Sequence, residues 1–402
     1  MTDSEVVQGP TGVAEAIQSL GGFEELILPL NDSVSININA LAATTTIIVG
    51  PHIEKDSVML NGKEVRPEGF ARFCRVFQEI RRLTLRKRTH SGQLKTWIPK
   101  EPWHIRVISE TNFPIAAGLA SSAAGFAAIA YGLGQLFQLQ ESEIVRLARI
   151  GSGSACRSVK SGFVHWRAGE KEADDSDSSC ETIAPASHWP NLRAVIIVLN
   201  ELEKQTGSSV GMRNTARTSL LMPIRIKDVV PKRVKELISA IKTKNFETLA
   251  QITMAESNQL HAVCLDTTPP LIYMNADSHH LIAFVNSFNE AFGVKVAYTF
   301  DAGPNCCLIL EEETLPTFFC CLKKCFKFDY NLLPEDASNN HDSNNVPDST
   351  SFPWSMSRDL QVKNIICREV GIGPRVLSNT GNKKFPESCA CPSQVSAECK
   401  ML

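Results

Sequence analysis

Residues 112–125 constrain the fold of this chain more than any other stretch, because they join a turn of small residues to a long apolar helix. The turn contains Pro114 and Gly118, and the helix opens with two hydroxyl residues, Ser121 and Ser122. Small side chains let a ligand approach the backbone, and the first N–H groups of a helix are unpaired donors at the positive end of its dipole. The pattern therefore predicts a phosphate-binding loop.

A plain buried helix rich in Ala and Gly is the alternative interpretation of this stretch, and the alanine run alone favours it. The combination of a proline, a glycine and two adjacent serines favours the phosphate loop instead. The loop is not of the Walker A type, because no Gly-Lys-Ser or Gly-Lys-Thr follows.

The composition is that of an ordinary globular protein and argues against nucleic acid or a membrane as the main partner. The 402 residues are enough for two domains, each with its own core. The formal net charge is −2, so any anion site must be local and not a broad basic face. No apolar run approaches the roughly 20 residues that a membrane helix needs.

The 13 cysteines are irregularly spaced and include adjacent pairs, which suits neither a disulfide framework nor a zinc site. Reduced thiols in a cytosolic protein are the simplest interpretation. The first thirty residues contain five acidic residues and no Lys or Arg, which argues against a secretory or transit peptide. The expected location is therefore the cytosol.

Hydrophobic periodicity predicts a mixture of helices and strands. Helices are expected over residues 69–88, 121–137, 231–244, 245–260, 270–292 and 315–326. Strands are expected over residues 33–39, 44–49, 104–109, 162–167, 193–199, 294–300, 307–310 and 360–367. The less regular segments are expected to form a short helix over residues 12–20, an acidic surface turn over 174–179, a disordered insertion over 332–355 and a flexible tail over 378–402.

A second cluster, at residues 151–158, combines two serines and an arginine in one short segment that also contains glycine. Ser152 and Ser154 supply hydroxyl groups, and Arg157 can grip a planar carboxylate through two parallel hydrogen bonds. A Gly/Ser loop by itself is weak evidence of a binding site, so this cluster predicts one only together with the first.

Two further clusters follow in the second half of the chain. Residues 204–212 place Ser208 and Ser209 in a hydroxyl-rich turn beside a lysine, which suits diphosphate oxygens, although an ordinary surface turn is the alternative. Asp301 lies between a β-rich run and Ala-Gly-Pro, where a carboxylate can act as a general base, although a turn former or helix cap is the commoner role. Glu256 and Asp266 are weaker candidates, as metal ligands.

In this order the four clusters resemble the motifs of the diphosphomevalonate decarboxylase family, within the GHMP kinase superfamily. The run Asn-Phe-Pro followed by Ala-Ala-Gly-Leu-Ala-Ser-Ser-Ala-Ala-Gly is especially similar, and the resemblance covers residues 24–310 and 360–377. It implies an α+β, two-lobed GHMP-kinase-like fold with the active site between the lobes. The N-terminal domain, residues 1–195 with an atypical segment 1–23, would resemble domain 2 of ribosomal S5, and residues 196–377 would form a ferredoxin-like domain.

The resemblance also implies roles for individual residues of the four clusters. ATP and its phosphates would lie against Ala117, Gly118, Leu119, Ala120, Ser121, Ser122 and Ala123. The substrate would contact Ser33, Ser152, Ser154, Arg157, Ser208 and Ser209. Asp301 and Arg157 would be the catalytic residues, and Ser121 would be a weak candidate ligand of Mg²⁺.

The activity implied by the resemblance is the decarboxylation of mevalonate 5-diphosphate to isopentenyl diphosphate, with ATP and Mg²⁺. The reaction would also release ADP, phosphate and CO₂. It would be a step of the mevalonate pathway of isoprenoid and sterol biosynthesis. Asp301 would deprotonate or orient the 3-hydroxyl group, and Arg157 would hold the carboxylate. Family members are commonly homodimers, so the resemblance implies a homodimer.

The amino-terminal segment departs from the family pattern. Family members open with a strand of sequence Ala-Pro-x-Asn-Ile-Ala-x-x-Lys-Tyr-Trp-Gly-Lys, whereas residues 13–23 of this chain contain no Asn, Lys, Tyr or Trp. This departure leaves open a catalytically impaired isoform or paralogue that acts as a binding or dimerisation partner. Separately, the resemblance to the superfamily leaves open a GHMP small-molecule kinase that stops after phosphorylation.

Overall fold

The structure is a computed structural model, and it describes residues 3–15, 27–90, 102–112, 121–169, 175, 177–199, 206–334 and 358–379. These residues form two lobes, each built on one β-sheet. The predicted phosphate turn at residues 113–120, residues 335–355 of the predicted insertion and residues 380–402 of the predicted tail lie outside the described ranges.

Runs of strands and runs of helices follow one another along the chain, which is the pattern of an α+β protein. The strands are β1 (Asp3–Glu15), β2 (Ser33–Gly50), β3 (Ser57–Leu60), β4 (Lys63–Glu64), β5 (His104–Thr111), β6 (Phe163–Arg167), β7 (Ser179–Ala184), β8 (Leu192–Val198), β9 (Val296–Phe300), β10 (Cys306–Glu311), β11 (Phe326–Lys327), β12 (Arg358–Asp359), β13 (Asn364–Glu369) and β14 (Arg375–Asn379). The helices are α1 (Pro67–His90), α2 (Ser121–Leu136), α3 (Glu141–Gly151), α4 (Ala155–Ser158), α5 (Ser208–Thr218), α6 (Met222–Ile224), α7 (Val230–Thr243), α8 (Phe246–Leu265), α9 (Ala276–Phe292) and α10 (Leu315–Cys325). A π-helix, Arg225–Val229, joins α6 to α7.

The larger sheet has eight strands within the described ranges, and β2 lies at its centre. β1 pairs with one edge of β2 along most of its length. The other edge is shared, because residues 33–36 pair with β6 and residues 43–50 pair with β5. Helices α1, α2 and α3 bury their apolar side chains in one core with the second half of β2. In this arrangement α2 contacts both β1 and β2.

The amino-terminal segment is a strand and not a helix where the structure describes it. The expected helix over residues 12–20 is therefore wrong for residues 12–15, which belong to β1. β1 runs antiparallel to β2 on one side and to β14 on the other. Two neighbouring strands offer backbone partners on both edges, and such tertiary pairing overrides a weak local helix preference. Residues 378–379, expected in the flexible tail, belong to β14.

The two strands predicted over residues 33–39 and 44–49 are one continuous strand with an irregularity. The pairing with β1 passes from Ala42 directly to Ile38, so residues 39–41 bulge out of the ladder. Before the bulge, the even-numbered residues 34–38 are apolar and join the core between the lobes. The odd-numbered residues 33–37 are two serines and an asparagine, and they are buried on the opposite face. β2 therefore presents a buried polar face toward the segment that carries Arg157.

The second lobe has the ferredoxin-like topology that the family resemblance implies. Its elements follow the order β8, helices, β9, β10, α10 and β13, which is the β-α-β-β-α-β pattern. The strands lie in the sheet order β13-β8-β10-β9, and each neighbouring pair is antiparallel. Helices α7, α8, α9 and α10 supply the apolar side chains that pack with this sheet.

The two lobes are tied together by backbone hydrogen bonds at Gly371. Its N–H donates to the carbonyl of Asn37 at 2.7 Å, and its carbonyl accepts from Gly162 N–H at 2.9 Å. A Cβ atom at residue 371 would lie 2.8 Å from the backbone of Ile38, so only glycine allows this approach. The division at residue 195 stays a prediction, because β8 crosses that position and β14 returns to the first sheet.

Most predicted elements are confirmed, and two further local expectations are wrong. The helix expected from residue 270 begins at Ala276, because the side chain of Asn275 caps it by accepting a hydrogen bond from Ser278 N–H. The acidic turn over residues 174–179 is not simply a surface feature, since Asp175 forms ion pairs with Arg146 and the buried Arg149. Within the described part of the chain, no helix is long and apolar enough to span a membrane.

Candidate active site

The helix predicted to bind phosphate, α2, begins at Ser121 and has no acidic residue in its first turn. The hydroxyl of Ser122, an exposed residue, lies 3.2 Å from the hydroxyl of Ser152. Ala123 is buried at 1% exposure, which lets the helix start pack closely against its surroundings. The predicted residues 117–120 and the side chain of Ser121 lie outside what the structure describes. The first two sequence clusters therefore meet at their serines.

Arg157 lies on α4 and is buried, with 2% of its surface exposed. Its Nη1 atom donates a hydrogen bond to the hydroxyl of Ser33 at 2.6 Å. The guanidinium carbon lies 5.3 Å from the ring centroid of Trp166, which is the cross-strand partner of Ser33. The serine and the indole ring fix the plane of the guanidinium, and a fixed plane suits bidentate binding of a carboxylate.

The segment that carries Arg157 is held at both ends. The side-chain amide of Asn37 donates to the carbonyl of Lys160 at 2.7 Å, after α4. The buried Ser152 precedes α4, and the half-buried Ser154 occupies its N-cap position. The predicted residues Ser33, Ser152, Ser154 and Arg157 thus belong to one connected group around α4.

The third cluster forms the start of α5, where Ser208 and Ser209 are the first two helical residues. The N-cap residue Gly207 offers no side chain, and its carbonyl accepts from the N–H groups of Val210 and Gly211, both at 3.0 Å. The first turn contains no acidic residue. An anion is electrostatically suited to such a helix start, as the sequence predicted for diphosphate oxygens.

Asp301 follows β9 directly, and the peptide groups of the preceding residue hold its position. The N–H of Phe300 donates to the hydroxyl of Ser257 at 3.0 Å, and the carbonyl of Phe300 lies 3.2 Å from Nε2 of His261. Ser257 and His261 are four residues apart on α8, so they lie on the same helix face. Both side chains are buried. We call Ser257 and His261 the strand-end clamp.

The histidine of the strand-end clamp acts as a neutral hydrogen-bond donor. Burial lowers the pKa of His261, because the charged form is disfavoured away from water, while the Phe300 carbonyl and the Asp301 charge oppose that effect. A neutral imidazole whose Nε2 carries the hydrogen can donate to the Phe300 carbonyl. The clamp therefore fixes the backbone immediately before Asp301 without adding a charge next to it.

Loss of the clamp is expected to lower turnover more than substrate affinity. In Ser257→Ala, the Phe300 N–H loses its buried acceptor, so we expect a loss of about 1–3 kcal/mol in the free energy of unfolding. We also expect kcat to fall several-fold as Asp301 shifts, with the KM values nearly unchanged. Steady-state kinetics and denaturant unfolding measure both effects.

Thr253→Val is the matched control for this variant. Thr253 lies one turn earlier on α8, is buried, and has a hydroxyl without a hydrogen-bond partner among the described residues. Removal of that hydroxyl should leave kcat unchanged. If the two variants had equal kcat values, the clamp would have no role in placing Asp301.

The weaker metal-ligand candidates have structural roles instead. The carboxylate of Glu256 accepts from Arg225 at 2.7 Å and also forms an ion pair with Arg233. Asp266 accepts hydrogen bonds from the Ser219 hydroxyl at 2.7 Å and from the Leu221 N–H at 3.2 Å. Across the described ranges, no group of three or more His, Cys, Asp or Glu residues could hold a metal ion.

Sequence reasoning missed the side chains that position the predicted residues. Trp166 beneath Arg157 carried no recognisable signal, because its role depends on strand pairing between residues distant in sequence. The strand-end clamp did carry a weak signal, since Ser257 lies in the helix predicted over residues 245–260 and His261 follows that helix directly, four residues after the serine. The described residues show no contact that joins Asp301 to the group around α4, so their predicted association stays a prediction.

Comparison with known proteins shows which family the chain belongs to. Residues 21–180 match the diphosphomevalonate decarboxylase-like N-terminal domain, and residues 194–377 match the mevalonate 5-diphosphate decarboxylase C-terminal domain. The diphosphomevalonate decarboxylase of Homo sapiens is 41% identical over 370 residues, which cover 89% of this chain and 89% of the human protein. This chain belongs to the diphosphomevalonate decarboxylase family.

Solved structures of diphosphomevalonate decarboxylases have the same fold. The mevalonate diphosphate decarboxylase from Trypanosoma brucei is 33% identical with a TM-score of 0.80, over 95% of this chain and 100% of that one. A second structure is 28% identical with a TM-score of 0.72, over 94% of this chain and 99% of that one, and it contains MVAPP, AMPPCP and magnesium. The family and the two-lobed α+β fold predicted from the sequence are confirmed.

Proposed function

We propose that this member of the diphosphomevalonate decarboxylase family converts mevalonate 5-diphosphate to isopentenyl diphosphate, with ATP, and releases ADP, phosphate and CO₂. One observation carries the proposal most directly. The short segment from Ser152 to Arg157 contacts the phosphate-binding helix at one end, through Ser122, and holds the buried guanidinium against Ser33 at the other. A phosphoryl donor and a substrate carboxylate would therefore bind next to each other.

The residues at the start of α2 fit ATP and Mg²⁺. An exposed serine and a helix start without acidic residues suit the phosphates of ATP. The described residues contain no metal-binding cluster, so Mg²⁺ would be held mainly by phosphate oxygens, with Ser121 as a protein ligand. When bound, Mg²⁺ supplies positive charge that offsets the charge on the phosphates.

The two catalytic candidates have complementary tasks in this proposal. Asp301 accepts the proton of the substrate 3-hydroxyl group, or orients that group, so that the oxygen attacks the terminal phosphoryl group. The 3-phosphate is a far better leaving group than hydroxide. Arg157 holds the carboxylate until its C–C bond breaks, and the bonding electrons then form the double bond of the product as the 3-phosphate departs. Ser208 and Ser209 hold the diphosphate together with Ser152 and Ser154.

A direct assay tests the activity. Purified protein is incubated with ATP, Mg²⁺ and mevalonate 5-diphosphate, and ADP and CO₂ are measured together. Equal release of both is expected. Release of ADP without CO₂ would identify a kinase. Release of neither product would identify the impaired isoform, which restoration of the family's Lys-Tyr-Trp segment in place of residues 13–23 should then reactivate.

Substitution of Arg157 by Lys is expected to reduce kcat/KM for mevalonate 5-diphosphate by about ten- to a hundred-fold. Lysine keeps the charge but lacks the planar pair of donors that binds a carboxylate in two places. Arg167→Lys is the control, because Arg167 is an exposed residue of the neighbouring strand that pairs with Glu181 at the surface. An unchanged kcat/KM in Arg157→Lys would show that this residue does not hold the carboxylate.

We also propose a cytosolic homodimer with a domain boundary near residue 195. The family resemblance supports the dimer, and the irregularly spaced cysteines, which suit reduced thiols, support the location. Light scattering coupled to size exclusion tests the dimer, and a mass of one chain would exclude it.

A further inference from the structure

Tyr273 has a buried hydroxyl for which the described structure provides no hydrogen-bond partner. The residue lies in the connection between α8 and α9, and its ring packs against a small apolar cluster. The buried members of that cluster are Met222, Leu260, Val263, Cys264 and Leu271. A buried hydroxyl without a partner is unfavourable, so each such group in a native protein needs an explanation.

The hydroxyl lies against α5, at the position where a side chain of residue 211 would be. A Cβ atom built on Gly211 would lie 2.3 Å from the Tyr273 oxygen but 3.5 Å from the ring carbon that bears it. Glycine at this position therefore makes room for the hydroxyl itself and not for the ring. A phenylalanine at residue 273 would not need that room.

The Tyr273 hydroxyl, next to Gly211, is close to the predicted diphosphate site. Ser208 and Gly211 are three residues apart on α5 and so lie on the same face of the helix. The Cα–Cβ bond of a helical residue tilts toward the helix N-terminus, so the space beyond Gly211 lies on the side of Ser208. The Tyr273 hydroxyl thus points at the same end of α5 whose first turn lacks both a side-chain cap and an acidic residue.

The surroundings keep the phenol protonated. Burial, and then the neighbouring Cys264 and Asp301, raise the pKa of Tyr273 to about 12. The hydroxyl is therefore a hydrogen-bond donor at neutral pH. Asp301, whose carboxylate the proposed reaction uses, is one of the charges that raise this pKa.

We propose that Tyr273 donates its hydroxyl hydrogen to a diphosphate oxygen of the substrate bound at the start of α5. This assignment rests on the proposed function and adds a substrate-binding residue that the four sequence clusters do not contain. It explains why a buried donor is left without an acceptor within the described residues, and why residue 211 has no side chain.

The test is Tyr273→Phe, which removes the hydroxyl and keeps the ring in its apolar cluster. We expect the Kd for mevalonate 5-diphosphate, measured by calorimetry without ATP, to rise about ten-fold or more, because a hydrogen bond to a charged group is lost. The KM for ATP and the melting temperature should stay unchanged. Tyr330→Phe is the control, since that hydroxyl bonds only backbone carbonyls of Lys323 and Phe326 in the structure described.

Gly211→Ala tests the geometry independently. Alone, it should lower the melting temperature, because the new methyl group meets the Tyr273 oxygen. Combined with Tyr273→Phe, it should lower the melting temperature less, because the nearest ring atom is then 3.5 Å away. If Gly211→Ala lowered the melting temperature equally with Tyr and with Phe at residue 273, the hydroxyl would not occupy this space.

The outcomes separate this inference from the proposed function. A wild-type protein that binds mevalonate 5-diphosphate but releases no CO₂ would contradict the proposed activity and leave the binding comparison intact. An unchanged Kd in Tyr273→Phe would overturn the assignment of Tyr273. Equal losses of affinity for mevalonate 5-diphosphate and ATP, together with a lower melting temperature, would also overturn the assignment. Such a result would indicate that the Tyr273 hydroxyl has a packing role.

Discussion

Asp301→Asn is expected to reduce kcat by about 100- to 10,000-fold, the range that a positioned general base contributes. Asparagine has the same shape as aspartate and fits the half-buried position after β9, so the fold should be retained. The substrate 3-hydroxyl would lose its proton acceptor while the contacts around Arg157 stay in place. Rapid-quench measurement of ADP and CO₂, with a thermal melt of the same sample, separates loss of chemistry from loss of structure.

Asp329→Asn is the control for this variant. The Asp329 side chain accepts a hydrogen bond from the Asn331 N–H at 3.0 Å in a short surface turn, and asparagine can cap such a turn equally well. Its kcat should match that of the wild type. Near-normal turnover in Asp301→Asn would show that this carboxylate is not the general base of the reaction.

Glu256→Gln is expected to destabilise the second lobe by about 3–5 kcal/mol, which would be the largest stability effect of any variant proposed. Glu256 and Arg225 are both buried, at 2% and 0% exposure. Removal of the carboxylate charge leaves two guanidinium groups near each other without the anion that balanced them. Since α8 also carries the strand-end clamp, part of the loss should appear in kcat.

The matched control is Glu312→Gln, whose carboxylate pairs with Arg193 at 2.7 Å but is 58% exposed. An exposed pair of this kind contributes about 0–1 kcal/mol, so the control should unfold almost like the wild type. Differential scanning calorimetry resolves the two lobes if they unfold separately. Equal unfolding midpoints for the two variants would show that Glu256 and its two arginines contribute no more to stability than a surface ion pair does.

The sequence predicted those parts of the fold and site that depend on local patterns. The helix predicted to bind phosphate, the Arg157 segment and the helices of the second lobe have continuous sequence signatures. Most of their elements lie where expected, although α9 begins at Ala276 and not at residue 270. β1 was not predicted, because its strand conformation depends on partners at residues 33–50 and 375–379 that no local window contains. The strand-end clamp and the Tyr273 position depend in the same way on contacts between distant segments.

Buried charge was the other source of error. A buried glutamate in a helix looks like a metal-ligand candidate in a sequence, because the arginines that neutralise it are not adjacent. The partners of Glu256 lie 23 and 31 residues earlier in the chain. Asp175 was likewise expected at the surface, although it balances the buried Arg149. Only the folded structure pairs such charges.

The position of β1 between β2 and β14 has a consequence for how the protein is made. The first lobe is synthesised first, yet the outer edge of β1 has no partner until residues 375–379 leave the ribosome. At ordinary translation rates that delay is on the order of tens of seconds. During that time the nascent chain presents an open strand edge, the kind of surface that molecular chaperones shield. The lobe that emerges first is therefore the last to be completed.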